Sequence, residues 1–165
     1  MEFHDRLAEL RKQPAPFQAG SGEETAALER FQRFFADFSP QKIALLLDQT
    51  YAEQIWFNDT LKTICGRETL RSYLSHSAQG VDACTVKIDD IARSQAGDYL
   101  VRWSMMIQFK RFKRGVQTHS IGISLLRFDA EGRVLLHQDF WDAAGALFEH
   151  VPVLGWGIRQ IKARV

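Results

Sequence analysis

The sequence predicts an α+β domain in which a curved antiparallel sheet wraps around N-terminal helices. Apolar residues recur at helical spacing up to about residue 50, and the period drops to two from Ala83 onward. Helices first and a strand meander afterwards is the α+β order. The expected strands also run to ten residues or more, which suits a strongly coiled sheet better than a flat one.

The elements follow in order. Residues 2–12 predict a short amphipathic helix with Phe3, Leu7 and Leu10 on one side. Pro14, Pro16, Gly20 and Gly22 mark a linker. Ser21 is placed to cap a second helix, with Glu23 and Glu24 in its first turn and Leu28, Phe31, Phe34, Phe35 and Phe38 at helical spacing to about Phe38. Ser39-Pro40 restarts a third helix through Ile43, Leu46 and Leu47. Tyr51 to Asp59 reads as a strand, residues 60–66 as a connection, and Glu68 to His76 as a short helix. Strands are expected at 83–94, 98–112, 116–128 and 133–142. The turns between them are Gln95-Ala-Gly-Asp98, Arg114-Gly115 and Asp129-Ala-Glu-Gly132. In the tail, Ala143 to His150 predicts a helical turn or two stopped before Pro152. Residues 154–165 predict an amphipathic helix with Arg159, Lys162 and Arg164 outward.

Composition narrows the function classes. The chain has 165 residues, enough for one domain with a real core, and its 45% hydrophobic content excludes wholesale disorder. A net charge of +1 argues against a dedicated nucleic-acid surface; the alternating aromatic and basic residues of Phe109-Lys-Arg-Phe-Lys-Arg114 read as a solvated hairpin tip. Cys65 and Cys84 form no C-x-x-C and no His pair has ligand spacing, so no metal centre is expected. The N-terminus lacks signal-peptide regions, and no run approaches the roughly 20 apolar residues of a membrane span. A cytoplasmic protein is the expectation.

The segment Val134-Leu-Leu-His-Gln-Asp-Phe-Trp141 carries the functional signal. Alternation puts Leu135, His137, Asp139 and Trp141 on one face and Val134, Leu136, Gln138 and Phe140 on the other. Neither face is cleanly polar, so both are expected to be covered. A His and an Asp about 7 Å apart on one covered face suit a cavity-lining strand and acid/base chemistry near neutral pH. The bland alternative is a satisfied buried polar pair that fixes the strand. Asp59 has its own bland alternative as a turn residue, and Asp142 reads as a cap for the segment after it.

Four phrases carry a resemblance: Tyr51-Ala-Glu-Gln-Ile-Trp-Phe-Asn-Asp59, Gly66-Arg-Glu68, Gly97-Asp-Tyr-Leu-Val-Arg-Trp103 and Leu126-Arg-Phe-Asp-Ala-Glu-Gly-Arg-Val134. In order and spacing, residues 23–142 resemble the nuclear transport factor 2-like superfamily, in particular its SnoaL-like and ketosteroid-isomerase-like members. The resemblance implies a cone with a pocket at its wide end. A ketosteroid isomerase needs a carboxylate base, a tyrosine and a protonated acid. The resemblance lays these on Asp59, Phe31 and Ser124, so only the base is matched and steroid isomerisation by that triad is not expected. It also implies that His137, Asp139 and Trp141 face the pocket with Trp103 and Met105.

The expectation is a cofactor-independent isomerase-, cyclase- or hydrolase-type enzyme for a small apolar or polycyclic molecule. Asp59 would be the base, His137 the acid or shuttle and Asp139 its orienting partner. Phe31, Phe57, Trp103, Met105, Ser124 and Trp141 would contact the substrate. The alternative is a non-catalytic ligand-binding or interaction module of the same shape. Residues 1–22 and 143–165 are extensions of the 23–142 domain. The stripe Ile121, Ile123, Leu125 is expected on the outer sheet face as a homodimer surface.

Overall fold

Two serines set where the long N-terminal helices begin. In a computed structural model of the chain, which describes residues 2–110, 116–146 and 152–164, the Ser21 hydroxyl accepts from the Glu24 backbone N–H at 3.2 Å and opens helix α2, Gly22–Phe35. Ser39 accepts from the Lys42 N–H at 3.4 Å and, with Pro40 in the first turn, opens α3, Pro40–Thr50. Helix α2 stops at Phe35 rather than Phe38; the proline at 40 disfavours helical backbone just before it. Ahead of these lies α1, Phe3–Leu10.

Strand β1, Tyr51–Asn58, follows α3 directly. A short β2, Thr63–Cys65, occupies the segment expected to be a plain connection; three residues with one buried side chain, Ile64, leave no readable period. Helix α4, Arg67–Gln79, extends beyond the expected span at both ends. The meander is β3 Val81–Arg93, β4 Tyr99–Phe109, β5 Gln117–Phe128 and β6 Val134–Trp141. Two of its expected turns form around glycines in the left-handed region, Gly97 at φ 78° and Gly132 at φ 76°. The turn at Arg114-Gly115 lies outside the described residues, as do Leu147 to His150. Short α5, Ala143–Ala146, and α6, Pro152–Lys162, complete the chain. The Asp142 carboxylate accepts from the Gly145 N–H at 2.9 Å, the expected cap. Lys162 and Arg164 are exposed, while the side chain of Arg159 lies outside the described residues.

The strand order is β2-β1-β6-β5-β4-β3. Every ladder is antiparallel except β1 with β6, which is parallel, so the sheet is mixed rather than wholly antiparallel. No hairpin links β1 to its neighbour β6, so turn geometry imposes no antiparallel direction there. Together with α2, α3 and α4, the concave face buries Phe31, Phe34, Leu47, Tyr51, Ile55, Leu70 and Val101 in one core.

The outer face is only partly free. Leu7 and Leu10 of α1 pack there on Trp56 and Leu136, and Phe3 reaches Phe140 at 6.0 Å between ring centroids. Asp98 fixes this strap. It pairs with Arg127 at 2.7 Å and Arg11 at 2.5 Å, while Arg127 also donates to the carbonyl of Gln13 at 2.9 Å. Leu125 is thereby half-covered, whereas Ile121 and Ile123 remain exposed. Simple alternation fails at the start of β6. Phe128 pairs with Val134 but Arg127 with Leu136, so a bulge at Leu135 turns Val134 inward, onto the same side as His137. Among the described residues, no helix is long and apolar enough to cross a membrane.

Candidate functional site

The β5–β6 register sets Ser124 opposite Asp139, Leu126 opposite His137 and Gly122 opposite Trp141. On the next strand Trp103 lies opposite Gly122. Four inward side chains from three neighbouring strands therefore meet. Trp103 Nε1 donates to Ser124 Oγ at 2.9 Å, and Ser124 donates to Asp139 Oδ1 at 2.5 Å. His137 Nε2 lies 2.8 Å from the same Oδ1 and 3.2 Å from Ser124 Oγ. Asp139 Oδ2 has no hydrogen-bond partner among the described residues. The carboxylate is thus held by one oxygen and open at the other.

A fifth member comes from β1. The Tyr51 hydroxyl lies 2.9 Å from His137 Nδ1, and the two rings are within 6° of parallel. Both side chains are buried, among Phe31, Phe34, Phe35 and Phe57. Burial raises the Tyr51 pKa well above the usual phenol value, and the charge of Asp139 adds to the rise. The hydroxyl therefore keeps its proton.

The cone interior has two compartments. A small inner pocket of about 50 Å³ is bounded by Phe31, Phe35, Val86, Ile88 and the Trp103–Ser124–His137–Asp139 group. A mouth of about 620 Å³ lies further along the same strands, lined by Asp59, Tyr73, Met105, Ile107, Phe109 and Trp141 among others. The first has room for a water molecule or a ligand's tip; the second has the volume of a drug-sized ligand site.

Asp59 lines the mouth and, among the described residues, hydrogen-bonds neither His137 nor Asp139, although the β1–β6 register, with Asn58 opposite Gln138, brings it level with Asp139. Its Oδ1 accepts from the N–H groups of Leu61 and Lys62 at 3.0 and 2.9 Å, which is a turn role. Its Oδ2 accepts from the Tyr73 hydroxyl, and its carbonyl from Trp141 Nε1 at 2.6 Å. Burial, followed by the hydrogen bond to Asp59, raises the Tyr73 pKa, so Tyr73 stays a neutral donor. Cys84, also in the mouth, is pushed up to about 11 by burial and is a neutral thiol near pH 7.

Of the substrate-contact candidates, Phe31, Trp103 and Ser124 line the inner pocket and Met105 and Trp141 the mouth. Phe57 stands between His137 and Tyr73, with centroids 5.0 and 6.3 Å away. Tyr51 and Tyr73 also belong to this interior, and no sequence motif marks either of them. Tyr51 has the sequence parity of Ile55 and Phe57, but Glu53 between them is exposed and the ladder to β6 shifts register there, so alternation does not mark it.

No family model matches the sequence, and no curated protein matches it. Solved structures match it in fold. An LEH-like epoxide hydrolase from M. tuberculosis aligns with a TM-score of 0.61 at 16% identity, covering 87% of this chain and 99% of that one. An NTF2-like protein of unknown function from Exiguobacterium sp. 255-15 gives 0.60 at 14%, covering 70% and 98%. A hypothetical protein with a ketosteroid isomerase-like fold from Catenulispora acidiphila DSM 44928, in complex with trimethylamine, gives 0.62 at 15%, covering 73% and 88%. The chain therefore has the nuclear transport factor 2-like fold, an α+β cone. Its fold neighbours are similar in shape while differing in described activity, so the residues inside the cone must carry the functional argument.

Proposed function

We propose that the protein is an acid/base enzyme of the isomerase, cyclase or hydrolase type, with Asp139 as its base. The observation that carries this is the half-held carboxylate: Oδ1 lies within hydrogen-bond distance of Ser124 Oγ and His137 Nε2, Oδ2 has no partner among the described residues, and Asp139 borders a pocket walled by Phe31, Phe35, Val86 and Ile88. Its two partners, the Ser124 hydroxyl and the His137 ring, fix its direction. Among the described residues no Lys or Arg pairs with Asp139. Oδ2 takes a proton from a carbon next to a carbonyl and returns it to another atom of the same molecule, or takes one from a water whose oxygen bonds to the substrate as a substrate bond breaks, and gives it to the atom that leaves. The inner pocket is too small for a whole polycyclic substrate, so the apolar body lies in the mouth against Met105, Ile107, Phe109 and Trp141 with its reacting end directed inward. The Asp59–Tyr73 pair borders that body.

A second reading, a binding module without turnover, is favoured by one observation: the two compartments share no lining residue. Asp139→Asn separates the two. A small molecule that co-purifies is extracted, identified by mass spectrometry and tested with both proteins. The enzyme reading expects about 10²–10⁴-fold slower turnover with the dissociation constant nearly unchanged. Equal turnover in the variant removes Asp139 as the base, and binding without any conversion leaves the binding module.

The outer face completes the proposal. Ile121 is 72% exposed and Phe140 49%; with Leu100 and Ile123 they form an apolar patch beside α1. A groove of about 420 Å³ runs along it, with Arg102 and Asp142 in its lining. An apolar patch with a polar border suits a second copy of this chain, which would make the protein a homodimer.

A further inference from the structure

Resting on the reading of Asp139 as the base, we infer that Tyr51 is its positioning residue, acting through His137: the buried phenol holds His137 as the neutral Nε2–H tautomer, and His137 in turn fixes Asp139 and is not itself the proton shuttle. The assignment comes from counting protons. The Trp103 indole N–H can only donate, so Ser124 Oγ accepts it and spends its own proton on Asp139 Oδ1. His137 Nε2 then faces a carboxylate oxygen at 2.8 Å, a group that only accepts, so Nε2 carries a proton. On the other side of the ring, the Tyr51 hydroxyl has His137 Nδ1 as its one hydrogen-bond partner among the described residues. A donor there requires a bare nitrogen.

The chain of donors therefore runs one way, Tyr51 to His137 to Asp139. A second proton on His137 would have to sit at Nδ1 and point at the Tyr51 oxygen. The phenol would then have to turn its own proton into a shell of phenylalanine rings, where an unmade hydrogen bond costs about 1–3 kcal/mol. The groups facing His137 offer no other outlet. Helix α2 presents Phe31 and Phe35, β1 presents Tyr51 and Phe57, β5 presents Ser124, and β6 presents Asp139. Tyr73 stands beyond Phe57, paired with Asp59. A histidine 1% exposed and held at both nitrogens is a strut between two other groups.

The test needs no substrate, so it fails or succeeds independently of the enzyme reading. The nitrogen resonances of the five histidines are recorded near neutral pH from two-bond 15N–1H spectra, with His137 assigned by its loss in His137→Asn. Wild type is expected to show a protonated Nε2 and a bare, hydrogen-bonded Nδ1. In Tyr51→Phe the Nδ1 resonance should move downfield, as for a ring nitrogen that has lost its donor, while the other histidines stay in place. A protonated Nδ1 in wild type, alone or in an imidazolium, overturns the inference. So does a Tyr51→Phe spectrum in which Nδ1 is unmoved. If Tyr51→Phe does not fold, the wild-type tautomer alone decides. Once a substrate is known, Tyr51→Phe should lower kcat more than it raises KM; an effect on KM alone would contradict the positioning role.

Discussion

The Trp103 indole lies flat against Gly122 on the neighbouring strand, so close that a Cβ at position 122 would sit less than 3.0 Å from three of its ring carbons. Glycine is weak in the middle of a strand, and here its missing side chain is the space the indole occupies. From that seat Trp103 Nε1 reaches Ser124, which in turn reaches Asp139. The orientation of the open carboxylate thus depends on an absent methyl group on β5, the strand between Trp103 and Asp139.

Gly122→Ala is therefore expected to displace the indole and break its bond to Ser124. Overpacking of this kind costs about 1–3 kcal/mol, so the variant should fold with a lower Tm and altered near-UV tryptophan circular dichroism. Unchanged Tm and tryptophan signals would mean the ring moves aside freely and does not brace the site.

The strap over the outer face makes a contrasting pair of predictions. Arg127 and Asp98 are almost wholly buried, while Arg11, on the same carboxylate, is 42% exposed. Asp98→Ala leaves Arg127 buried without an anion and should cost about 3–5 kcal/mol. Arg11→Met removes only a solvated partner and should cost less than about 1 kcal/mol. Urea unfolding of both variants measures the difference; equal losses would show that α1 is held through Arg11 instead.

How much of this was legible in the sequence follows from the range of each interaction. Helix starts at Ser21 and Ser39 and the turns at Gly97 and Gly132 are local, and each showed in a few residues. The inward face of His137 and Asp139 also showed, because alternation survives along the second half of β6. What lay hidden depends on register and irregularity. The bulge at Leu135 reverses Val134, and no local residue announces it. Tyr51 meets His137 only because β1 lies parallel beside β6, a pairing between segments some eighty residues apart. Asp59 presented the opposite case: its turn hydrogen bonds follow from local chemistry, and together with the Tyr73 hydroxyl they take up both of its carboxylate oxygens.

Self-association through the outer face is checked by charge. Ile121→Lys with Ile123→Lys places two cations on the part of the patch that α1 leaves open. Wild type is expected to sediment as a dimer at micromolar concentration and the double variant as a monomer with nearly the same Tm, because neither side chain belongs to the core. A wild-type protein that stays monomeric at every concentration would remove the dimer from the proposal.

Acid stability should trace to Glu24 at the narrow end of the cone. Its carboxylate accepts from the Tyr99 hydroxyl at 2.6 Å and the Gly20 N–H at 2.5 Å, with Arg93 close by. The Tyr99 bond is the main influence holding its pKa below the ordinary 4.5; burial works against it, and Gly20 and Arg93 assist. A group whose pKa is lower folded than unfolded contributes stability above its unfolded value, and loses it as pH falls through the folded value. Glu24→Gln cannot ionise, so it should melt below wild type at pH 7, with the gap closing as pH drops below 4.5. Thermal melts of both proteins from neutral pH downward measure that gap. A gap that stays constant into acid would assign the loss to shape rather than charge. The Tyr99 phenol, raised by burial and by its bond to Glu24, stays protonated throughout this range and cannot account for the change.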